Sequence, residues 1–436
     1  MSPVKIAILV LNYNGLRHLR GLFDAAQFLR DEPTAVVVLV DNASYDDSVR
    51  FVREQYPWVK VVVNPSNLGW GEGYNAAIRP LVAAGEAFTH YLFLNNDVIP
   101  NRAWFERLRD AAATAGPEVG EIGCRAVFKE KFVREVICEA KPDSLSLMLL
   151  AATNHSSSTA VELGANEGRL ICTQPRYTAL PRFTTPYHGP FHAWYAIEIY
   201  NKTEAAIDVT VPDNYVTSVE HVSDKLQKWL LLPATDGKKN PTTINLVPHQ
   251  KVIVLRVILD PSELQQCIQN SGSSINARFE GYDMHCYESV NTPQNHRDVV
   301  GACGVCKLVK REVYEELGGF DPNYFMYYED TDFSLRLRRS GYKVKIVEAA
   351  ILPHVHAGSS NAVSQFFERQ VLWSLLYFHY KNAGLFRRLV TLLKFINRAR
   401  MERREEDNPL SRPMELALNK LGCHLGLSYF RYLRGQ

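Results

Sequence analysis

The stretch THYLFLNNDVIP, residues 89–100, joins the pattern of a buried strand to a polar end. Its apolar run Tyr91-Leu92-Phe93-Leu94 has the continuous hydrophobicity of a core strand, and Asn95-Asn96-Asp97 follows directly. Whether these two amides and the carboxylate serve a site depends on how the neighbouring strands end.

The N-terminal part of the chain alternates short apolar runs with helical patterns. This order predicts the α/β fold of a doubly wound sheet, in which ligands bind at the carboxyl ends of the strands. The predicted strands are 6–10, 36–40, 59–63 and 91–94, and the predicted helices are 16–30, 46–55, 73–84 and 102–115.

Three of the predicted strands end on polar residues. The ends are Asn12-Tyr13-Asn14-Gly15, Asp41-Asn42-Ala43-Ser44 and Asn95-Asn96-Asp97. Since the carboxyl ends of parallel strands meet at one edge of the sheet, these three segments are expected to line a single crevice.

Composition and charge limit the class of protein. With 436 residues, 46% of them hydrophobic and 22% charged, the chain is predicted to be globular. A net charge of +2 gives no reason to expect a nucleic acid partner. We see neither a secretory leader nor a run of about 18 apolar residues, so we expect a soluble protein in the cytoplasm.

The pattern of apolar residues changes twice along the chain. Residues 139–266 show alternating, strand-like segments separated by turn residues, which predicts an inserted, mostly β domain, most simply a sandwich. The α/β domain is then discontinuous, over 1–138 and 267–382, and a helical segment follows over 383–436.

The predicted helix over 385–404 carries seven basic residues and one acidic residue. A basic amphipathic helix can lie on an anionic membrane surface, which would place the protein at the inner face of the cell membrane. The same helix can instead pack its apolar stripe on the body of the protein. The sequence leaves both interpretations open.

Two groups of residues have the chemistry of a metal-assisted reaction. A divalent cation that bridges a diphosphate needs one or two protein carboxylates, such as Asp97, and a histidine such as His354 or His356 suits manganese. Taken alone, an aspartate at position 97 caps the helix predicted over 102–115 more often than it binds a metal. Glu329 and Asp330 follow an aromatic run, and their spacing alone favours acidic residues of a helix N-terminus over a general base beside an aromatic wall.

The sequence argues against two other site types. The first strand leads into Asn12-Tyr13-Asn14-Gly15, which lacks the glycine pattern of a dinucleotide site and the phosphate loop expected of a sugar nucleotidyltransferase. Cys303-Gly304-Val305-Cys306 has the spacing of a redox pair or half a zinc site, but no second cysteine pair follows, so a buried pair of small residues is favoured.

Six ordered motifs, over roughly 1–130 and 267–382, resemble the family 2 glycosyltransferases, in particular their bacterial rhamnosyltransferase-like branch. The resemblance implies a GT-A fold and an inverting transfer of a sugar, rhamnose being one candidate, from a nucleoside diphosphate donor to a hydroxyl of a cell-surface or lipid-linked glycan. The motifs are AILVLNYNG, VVLVDNASYDDS, NPSNLGWGEGYNAAI, YLFLNNDV, GACGVCKLVKREVYEELGGFDPNYFMYYEDTDFSLRLRRSGYKV and PHVHAGSS.

The resemblance also implies roles for particular residues. Asp330 corresponds to the catalytic base, with Glu329 beside it, and Asp97 together with His356, or else His354, would hold Mg²⁺ or Mn²⁺. The first aspartate of the metal motif is replaced by Asn95, which removes one negative charge. The residues implied for donor binding are Asn12, Tyr13, Asp41, Asn67, Gly69, Gly73 and Asn96. The alternative is a sugar- or nucleotide-binding protein without activity.

Overall fold

A computed structural model describes most of the chain. By the contacts within it, the chain divides into one compact unit over 1–129, 269–285 and 294–436 and a second over 130–268 and 286–293. The domain boundaries predicted above stay a prediction. The residues described are 3–133, 135–139, 145–150, 165–166, 169–173, 177–178, 193–201, 204–211, 242–249, 251–258, 265–286, 288, 290–291, 294–355, 365–405, 417–418, 420–421 and 424.

The elements follow the order predicted for the N-terminal part. The strands are β1 Ile6–Asn12, β2 Ala35–Asp41, β3 Lys60–Val63, β4 His90–Asn95, β5 Val119–Val133, β6 Glu135–Glu139, β7 Leu145–Leu150, β8 Ala165–Asn166, β9 Arg169–Thr173, β10 Tyr177–Thr178, β11 Ala193–Asn201, β12 Ile207–Val211, β13 Thr242–Leu246, β14 Lys251–Ile258, β15 Gln265–Asn270, β16 Ser273–Ile275, β17 Gly281–Asp283, β18 Cys306–Lys310 and β19 Lys343–His354. The helices are α1 Leu16–Ala25, α2 Ser48–Gln55, α3 Trp70–Ala83, α4 Arg102–Thr114, α5 Arg311–Glu316, α6 Glu329–Arg339, α7 Gln365–Asn382 and α8 Leu385–Glu405.

The first unit is built on one mixed sheet. Its strands lie in the order β5-β18-β4-β1-β2-β3, with β19 also paired to β5. Strands β1 to β4 are parallel, and β18 runs antiparallel to both β4 and β5. The predicted α/β fold of GT-A type is therefore confirmed.

The sheet is buried on both faces because successive residues of a strand point to opposite sides. Along β1, Ile6, Ile8 and Val10 pack with α1 and α4, whereas Ala7 and Leu9 pack with α3, α5 and α6. This explains the unbroken apolar runs read from the sequence.

The register of the parallel strands brings the polar ends together. Asn12 is opposite Asp41 on β2, and its neighbour Leu11 is opposite Asn95 on β4. The three polar segments therefore lie side by side at the carboxyl edge of the sheet, as predicted.

The second unit, in its described part, contains two antiparallel sheets. Their strand orders are β14-β11-β7 and β13-β12-β6-β9-β8. The unit is β-rich, as the alternating sequence predicts, and its packing as a sandwich stays a prediction.

Helix α6 is tied to α7 by Asp332, whose side chain is completely buried. Its carboxylate accepts hydrogen bonds from Arg336, Lys381 and Asn382 at 2.8–2.9 Å. Asp332 is therefore a link between two helices, and this contact fixes the direction of α6, which begins at Glu329.

Candidate functional site

Asn12 lies at the centre of the polar edge. Its side-chain amide donates to Asp41 Oδ2 at 2.9 Å, and its Oδ1 accepts from Asn96 Nδ2 at 2.8 Å. One amide thus joins the ends of three strands. Gly15 is required beside it, because a Cβ there would lie 2.2 Å from Asn96 Nδ2 and 2.4 Å from Asn12 Oδ1.

Asp41 is completely buried, and its carboxylate is held by its own turn. Oδ1 accepts from the Ser44 backbone N–H at 2.8 Å, and Oδ2 accepts from the Ser44 hydroxyl at 2.7 Å. Such bonds shape the loop after β2. The contact of Asp41 with a nucleotide, which the family resemblance implies, stays a prediction.

Tyr13 is the exposed member of this edge. Its ring is 45% exposed and meets Tyr45 edge to face, with the ring centroids 6.2 Å apart. Tyr45 is 85% exposed. Two aromatic rings held at the carboxyl edge of the sheet offer flat apolar surface to a planar ligand.

An asparagine network holds the segment that precedes α3. Asn42 Nδ2 donates to the Gly69 carbonyl at 2.9 Å and lies 3.3 Å from Asn67 Oδ1. Asn64 Nδ2 donates to Asn42 Oδ1 at 2.8 Å and to the Gly73 carbonyl at 3.0 Å. The predicted donor-binding residues Asn67, Gly69 and Gly73 are therefore brought together with Asn42.

The two glycines of this segment are needed for close packing. Gly69 has a φ of 81°, and a Cβ there would lie 2.1 Å from the Phe325 carbonyl oxygen. A Cβ on Gly73 would lie 2.8 Å from Asn42 Oδ1. At Gly69 any other residue would displace the backbone, because the neighbouring atom is a carbonyl oxygen and φ is positive. At Gly73 a Cβ would force the hydrogen-bonded Asn42 side chain to move.

Asp97 and His354 form a buried pair. His354 Nε2 lies 2.9 Å from Asp97 Oδ1, and its Nδ1 lies 2.5 Å from Gln269 Oε1. Burial acts to raise the pKa of Asp97, but the hydrogen bond and positive charge of His354, with His18, outweigh it, so this pKa is lowered. The cap of α4 is Asn101, whose Oδ1 accepts from the Trp104 N–H at 2.9 Å. Asp97 is therefore not the capping residue.

The Asp97–His354 pair offers one carboxylate oxygen and one imidazole nitrogen next to each other, which suits a cation that diphosphate oxygens also coordinate. Asn95 Oδ1 instead accepts from Trp70 Nε1 at 3.3 Å. Within the described residues, no group of three or more His, Cys, Asp or Glu side chains is placed to hold a metal. His356 lies outside the described residues. Donor oxygens from a ligand would therefore be needed to complete a coordination sphere.

The turn before α6 is strained. Tyr327 and Tyr328 both have left-handed backbone conformations, with φ of 71° and 67°. Such conformations cost about 1–3 kcal/mol each and persist only where the surroundings fix them. Here the Phe325 carbonyl accepts from the Trp70 N–H at 2.8 Å, and the Met326 carbonyl accepts from the Ser374 hydroxyl at 2.7 Å.

This turn places Asp330 in the first turn of α6, where backbone N–H groups hold its carboxylate. Oδ2 accepts from the Gly304 N–H at 2.9 Å, and Oδ1 accepts from the Thr331 N–H at 2.7 Å. The side chain is only partly buried. An accessible carboxylate that two backbone donors hold in place is suited to accept a proton from a bound hydroxyl.

A buried ion pair contacts α6, the helix that carries Asp330. Lys307 Nζ lies 2.7 Å from Glu121 Oε1, and both side chains are completely buried. Lys307 also donates to the Ser334 hydroxyl at 2.6 Å, and Glu121 accepts from the Ala302 N–H. The pair therefore connects the loop that carries Gly304 to the first turn of α6.

Glu329 points into the protein. It is 5% exposed, and its Oε2 has no hydrogen-bond partner among the described residues. Burial, with the charge of Asp330, raises the pKa of Glu329 to about 8. The burial of Glu329 favours a role in packing the start of α6 over contact with an acceptor.

The cysteine motif has no sign of redox or zinc chemistry. Cys303 and Cys306 are free thiols, and burial raises the pKa of each well above its ordinary value. Cys306 is buried and Cys303 is partly buried, so the interpretation as a pair of small buried residues holds for Cys306 and only in part for Cys303. The group of this motif that contributes to the candidate site is the Gly304 backbone N–H, which donates to Asp330. The sequence did not identify it.

Asp283 is a further carboxylate that the sequence analysis missed. It ends β17, and its Oδ1 accepts from Asn270 Nδ2 at 2.5 Å. Asp283 is exposed on β17, but its carboxyl is partly desolvated, and this desolvation with the charge of Asp330 raises its pKa against the Asn270 bond and the charge of His354. Asp283 therefore lies within electrostatic range of both Asp330 and His354. No motif marks it in the sequence.

Comparisons with known proteins agree with this geometry. The chain matches the model of Glycosyl transferase family 2 over residues 7–146 and that of Glycosyl transferase family group 2 over residues 266–435. Both matches fall on the parts of the chain that carry the site.

Two curated relatives, from two strains of Mycobacterium tuberculosis, are named N-acetylglucosaminyl-diphospho-decaprenol L-rhamnosyltransferase. Each is 38% identical to this chain over 69 residues, which is 16% of this chain and 22% of the relative. The chain thus spans about a fifth of the length of the curated relatives that it matches.

Solved structures show weaker similarity. The mannosyltransferase PcManGT from Pyrobaculum calidifontis, with GDP-Man and Mn²⁺, is 12% identical, with 98% of this chain and 82% of that chain covered and a TM-score of 0.39. TarS 1-349 from S. aureus, with UDP-GlcNAc, is 23% identical, with 30% and 39% covered and a TM-score of 0.24. These TM-scores are too low to establish a common fold.

The two family matches together span more than half of the chain, and they coincide with the motifs that form the polar edge and the start of α6. The chain belongs to the family 2 glycosyltransferases.

Proposed function

We propose that this protein transfers a sugar from a nucleoside diphosphate donor to a hydroxyl group of a glycan, with inversion at the anomeric carbon. One observation supports the proposal: two carboxylates, Asp97 and Asp330, lie on segments that backbone hydrogen bonds join at the carboxyl edge of one sheet. The Asn95 N–H donates to the Val305 carbonyl at 3.1 Å, and the adjacent Gly304 N–H holds Asp330. Asp330 is thereby placed next to the segment that contains Asp97.

The proposed reaction is a single displacement. The acceptor hydroxyl oxygen attacks the anomeric carbon and forms the new glycosidic bond, while the bond from that carbon to the diphosphate oxygen breaks. Asp330 accepts the hydroxyl proton, and the nucleoside diphosphate leaves with the bonding electron pair. Attack from the side opposite the diphosphate inverts the configuration, and no covalent enzyme intermediate is needed.

Asp97 and His354 would hold the divalent cation, Mg²⁺ or Mn²⁺. When bound, such a cation neutralises charge that develops on the leaving diphosphate. The described residues supply two ligands of suitable type, so the donor diphosphate and water would complete the sphere. Whether His356 also contributes stays a prediction.

The donor would enter at the edge formed by Asn12, Tyr13 and Asn96. Exposed Tyr13 is suited to stack on the base, whereas the buried amides keep the surrounding loops in place. The direct roles of Asp41, Asn67, Gly69 and Gly73 in donor binding are proposed on the family resemblance, supported by their clustering around Asn42.

The relatives' name suggests a donor sugar and an acceptor. A rhamnosyl group and a polyprenyl diphosphate-linked acceptor are proposed here because the 69-residue match is to an N-acetylglucosaminyl-diphospho-decaprenol L-rhamnosyltransferase. Such an acceptor would require the protein to work at the inner face of the cell membrane.

A thermal-shift panel tests the donor part of the proposal. Uridine, thymidine and guanosine diphosphates and their sugars are added with and without Mn²⁺ or Mg²⁺, to wild type and to Asp97→Ala. A ligand that binds only the folded state stabilises it by about 2.7 kcal/mol at a hundredfold excess over its Kd. We expect one nucleotide series to raise the Tm only with metal, and this shift to disappear in Asp97→Ala.

The opposite results have a definite meaning. A metal-independent shift that Asp97→Ala retains would remove Asp97 from the donor site. Donor binding without any sugar transfer to a panel of glycan and lipid-linked acceptors would favour a binding protein without activity.

A further inference from the structure

Helix α8 exposes a continuous apolar stripe. Leu385, Phe386, Leu389 and Leu393 are between 51% and 78% exposed. In the part of the chain that the structure describes, other exposed large apolar side chains, such as Val63 and Val247, do not form such a run. Residues at i, i+4 and i+8 lie along one side of a helix, so these four form a single surface.

The same helix is already packed through a different face. Phe395 and Ala399 are buried in a cluster with Trp373, Leu376 and Phe378 of α7. The sequence left open whether the apolar residues of this helix pack on the body or face outward. In the structure, some apolar residues of α8 pack on the body of the protein and others are exposed to solvent.

A basic ridge accompanies the exposed stripe. Arg387, Lys394 and Arg398 are exposed and recur at the spacing of a second helix side. The sequence from 385 to 401 contains no acidic residue. A surface that contacts this helix must therefore accept both apolar side chains and positive charge.

We propose that α8 docks on an anionic lipid surface, with Leu385, Phe386, Leu389 and Leu393 inserted among the acyl chains and the basic ridge at the lipid headgroups. Within the described residues, no helix is long and apolar enough to cross a membrane, so this contact lies on the surface. A second copy of the chain fits less well, because the exposed surface of this helix carries basic residues and, over 385–401, no acidic residue that could pair with them in a second copy.

The proposal adds a surface to the protein and does not depend on transferase activity. Each basic side chain near an anionic surface contributes about a fivefold increase in partitioning, and each inserted leucine or phenylalanine about tenfold or more. Neither group alone anchors a protein firmly, so removal of either should release it.

Vesicle co-sedimentation of the full chain tests the docking. The probes are vesicles of phosphatidylcholine alone and vesicles that also contain phosphatidylglycerol, each at low and high salt. We expect binding only to the anionic vesicles, a loss of binding at high salt, and a loss in both Leu389→Glu/Leu393→Glu and Lys394→Glu/Arg398→Glu.

Matched controls separate docking from general effects. Val247→Glu adds one of the same glutamates at an exposed valine of the other unit, and Arg53→Glu reverses one charge at an exposed arginine of α2. Both should bind vesicles as wild type does, and all variants should keep the wild-type Tm. Failure of the wild type to bind at either salt concentration would overturn the proposal. So would concentration-dependent dimerisation, by sedimentation velocity, that the α8 variants abolish.

Discussion

The two sides of the candidate site differ in the chemical groups that hold them together. The side proposed to bind the nucleotide joins the amides Asn12, Asn42 and Asn64 and a single buried carboxylate, Asp41, which Asn12 and the Ser44 hydroxyl hold. The base side joins charged groups from distant parts of the chain, with the Lys307–Glu121 pair beneath Asp330. A neutral group that loses a buried hydrogen bond costs about 1–3 kcal/mol, whereas a buried charge that loses its partner costs about 3–5 kcal/mol. Substitutions should therefore affect the two sides unequally.

The largest effect is expected from Asp330→Asn. The amide keeps the shape but cannot accept a proton, so transfer should fall by about 10²–10⁴-fold, as for the loss of a general base. The rate of nucleoside diphosphate release with donor and acceptor present measures it. The Tm should change little, since the side chain is partly exposed. A rate within a few-fold of wild type would remove Asp330 from the base role.

A smaller loss, in stability, is expected from Lys307→Met. The change leaves the Glu121 carboxylate buried without its cation, which costs about 3–5 kcal/mol. Urea unfolding measures this cost. The matched control is the double variant Glu121→Leu/Lys307→Met, which removes both charges and should recover most of the loss. If the single and double variants are equally unstable, the ion pair is not what holds this region.

Asn42→Ala should have a more moderate effect. Asn64 Nδ2 and the Gly69 carbonyl would each lose a buried partner, which costs about 1–3 kcal/mol in the free energy of unfolding. Donor binding should weaken as well, because the segment before α3 loses its support. Asn397→Ala, at an exposed position of α8, serves as the comparison. A stability equal to that of Asn397→Ala would show that the amide network contributes nothing.

A change that depends on pH, and is therefore the most specific, is expected from Glu329→Gln. In the folded state this carboxyl has a pKa of about 8, against an ordinary value of 4.5. Its contribution to stability is therefore fully present below about 4.5 and is lost as the pH rises through 8. The variant lacks this loss, so its stability relative to wild type should increase with pH by up to about 1.4 kcal/mol per unit in that window.

Urea unfolding across pH 4.5 to 8 gives the comparison, and Glu54→Gln, which removes an exposed carboxylate of α2, is the control. A difference between Glu329→Gln and wild type that stays constant with pH would mean that Glu329 is ionised in the folded protein.

The nucleotide side was largely predictable because its information is local. The apolar runs predicted the positions of the strands. The polar residues after them lie at one edge of the sheet because the carboxyl ends of parallel strands lie side by side. Helix bounds were less exact: α3 begins at Trp70, three residues before the predicted start, since tertiary contacts from Phe325 stabilise its first turn.

The base side was predictable only in part. Asp330 was found through a motif, and His354 was one of two candidates beside Asp97. The support from Glu121 and the Gly304 N–H was not found, because these groups meet Lys307 and Asp330 through sheet pairing between distant segments. Lys307 did leave a signal, a lysine inside the apolar strand β18, but its partner 186 positions away cannot be read from one sequence.

We propose that donor binding and proton removal are separate tasks of Asp97 and Asp330 in one site. The most direct test measures donor affinity and transfer rate on the same preparations of wild type, Asp97→Asn and Asp330→Asn. We expect Asp330→Asn to bind donor with metal as wild type does and not to transfer the sugar, whereas Asp97→Asn should lose the metal-dependent binding. Transfer at the wild-type rate by Asp330→Asn, or unchanged metal-dependent binding by Asp97→Asn, would contradict it.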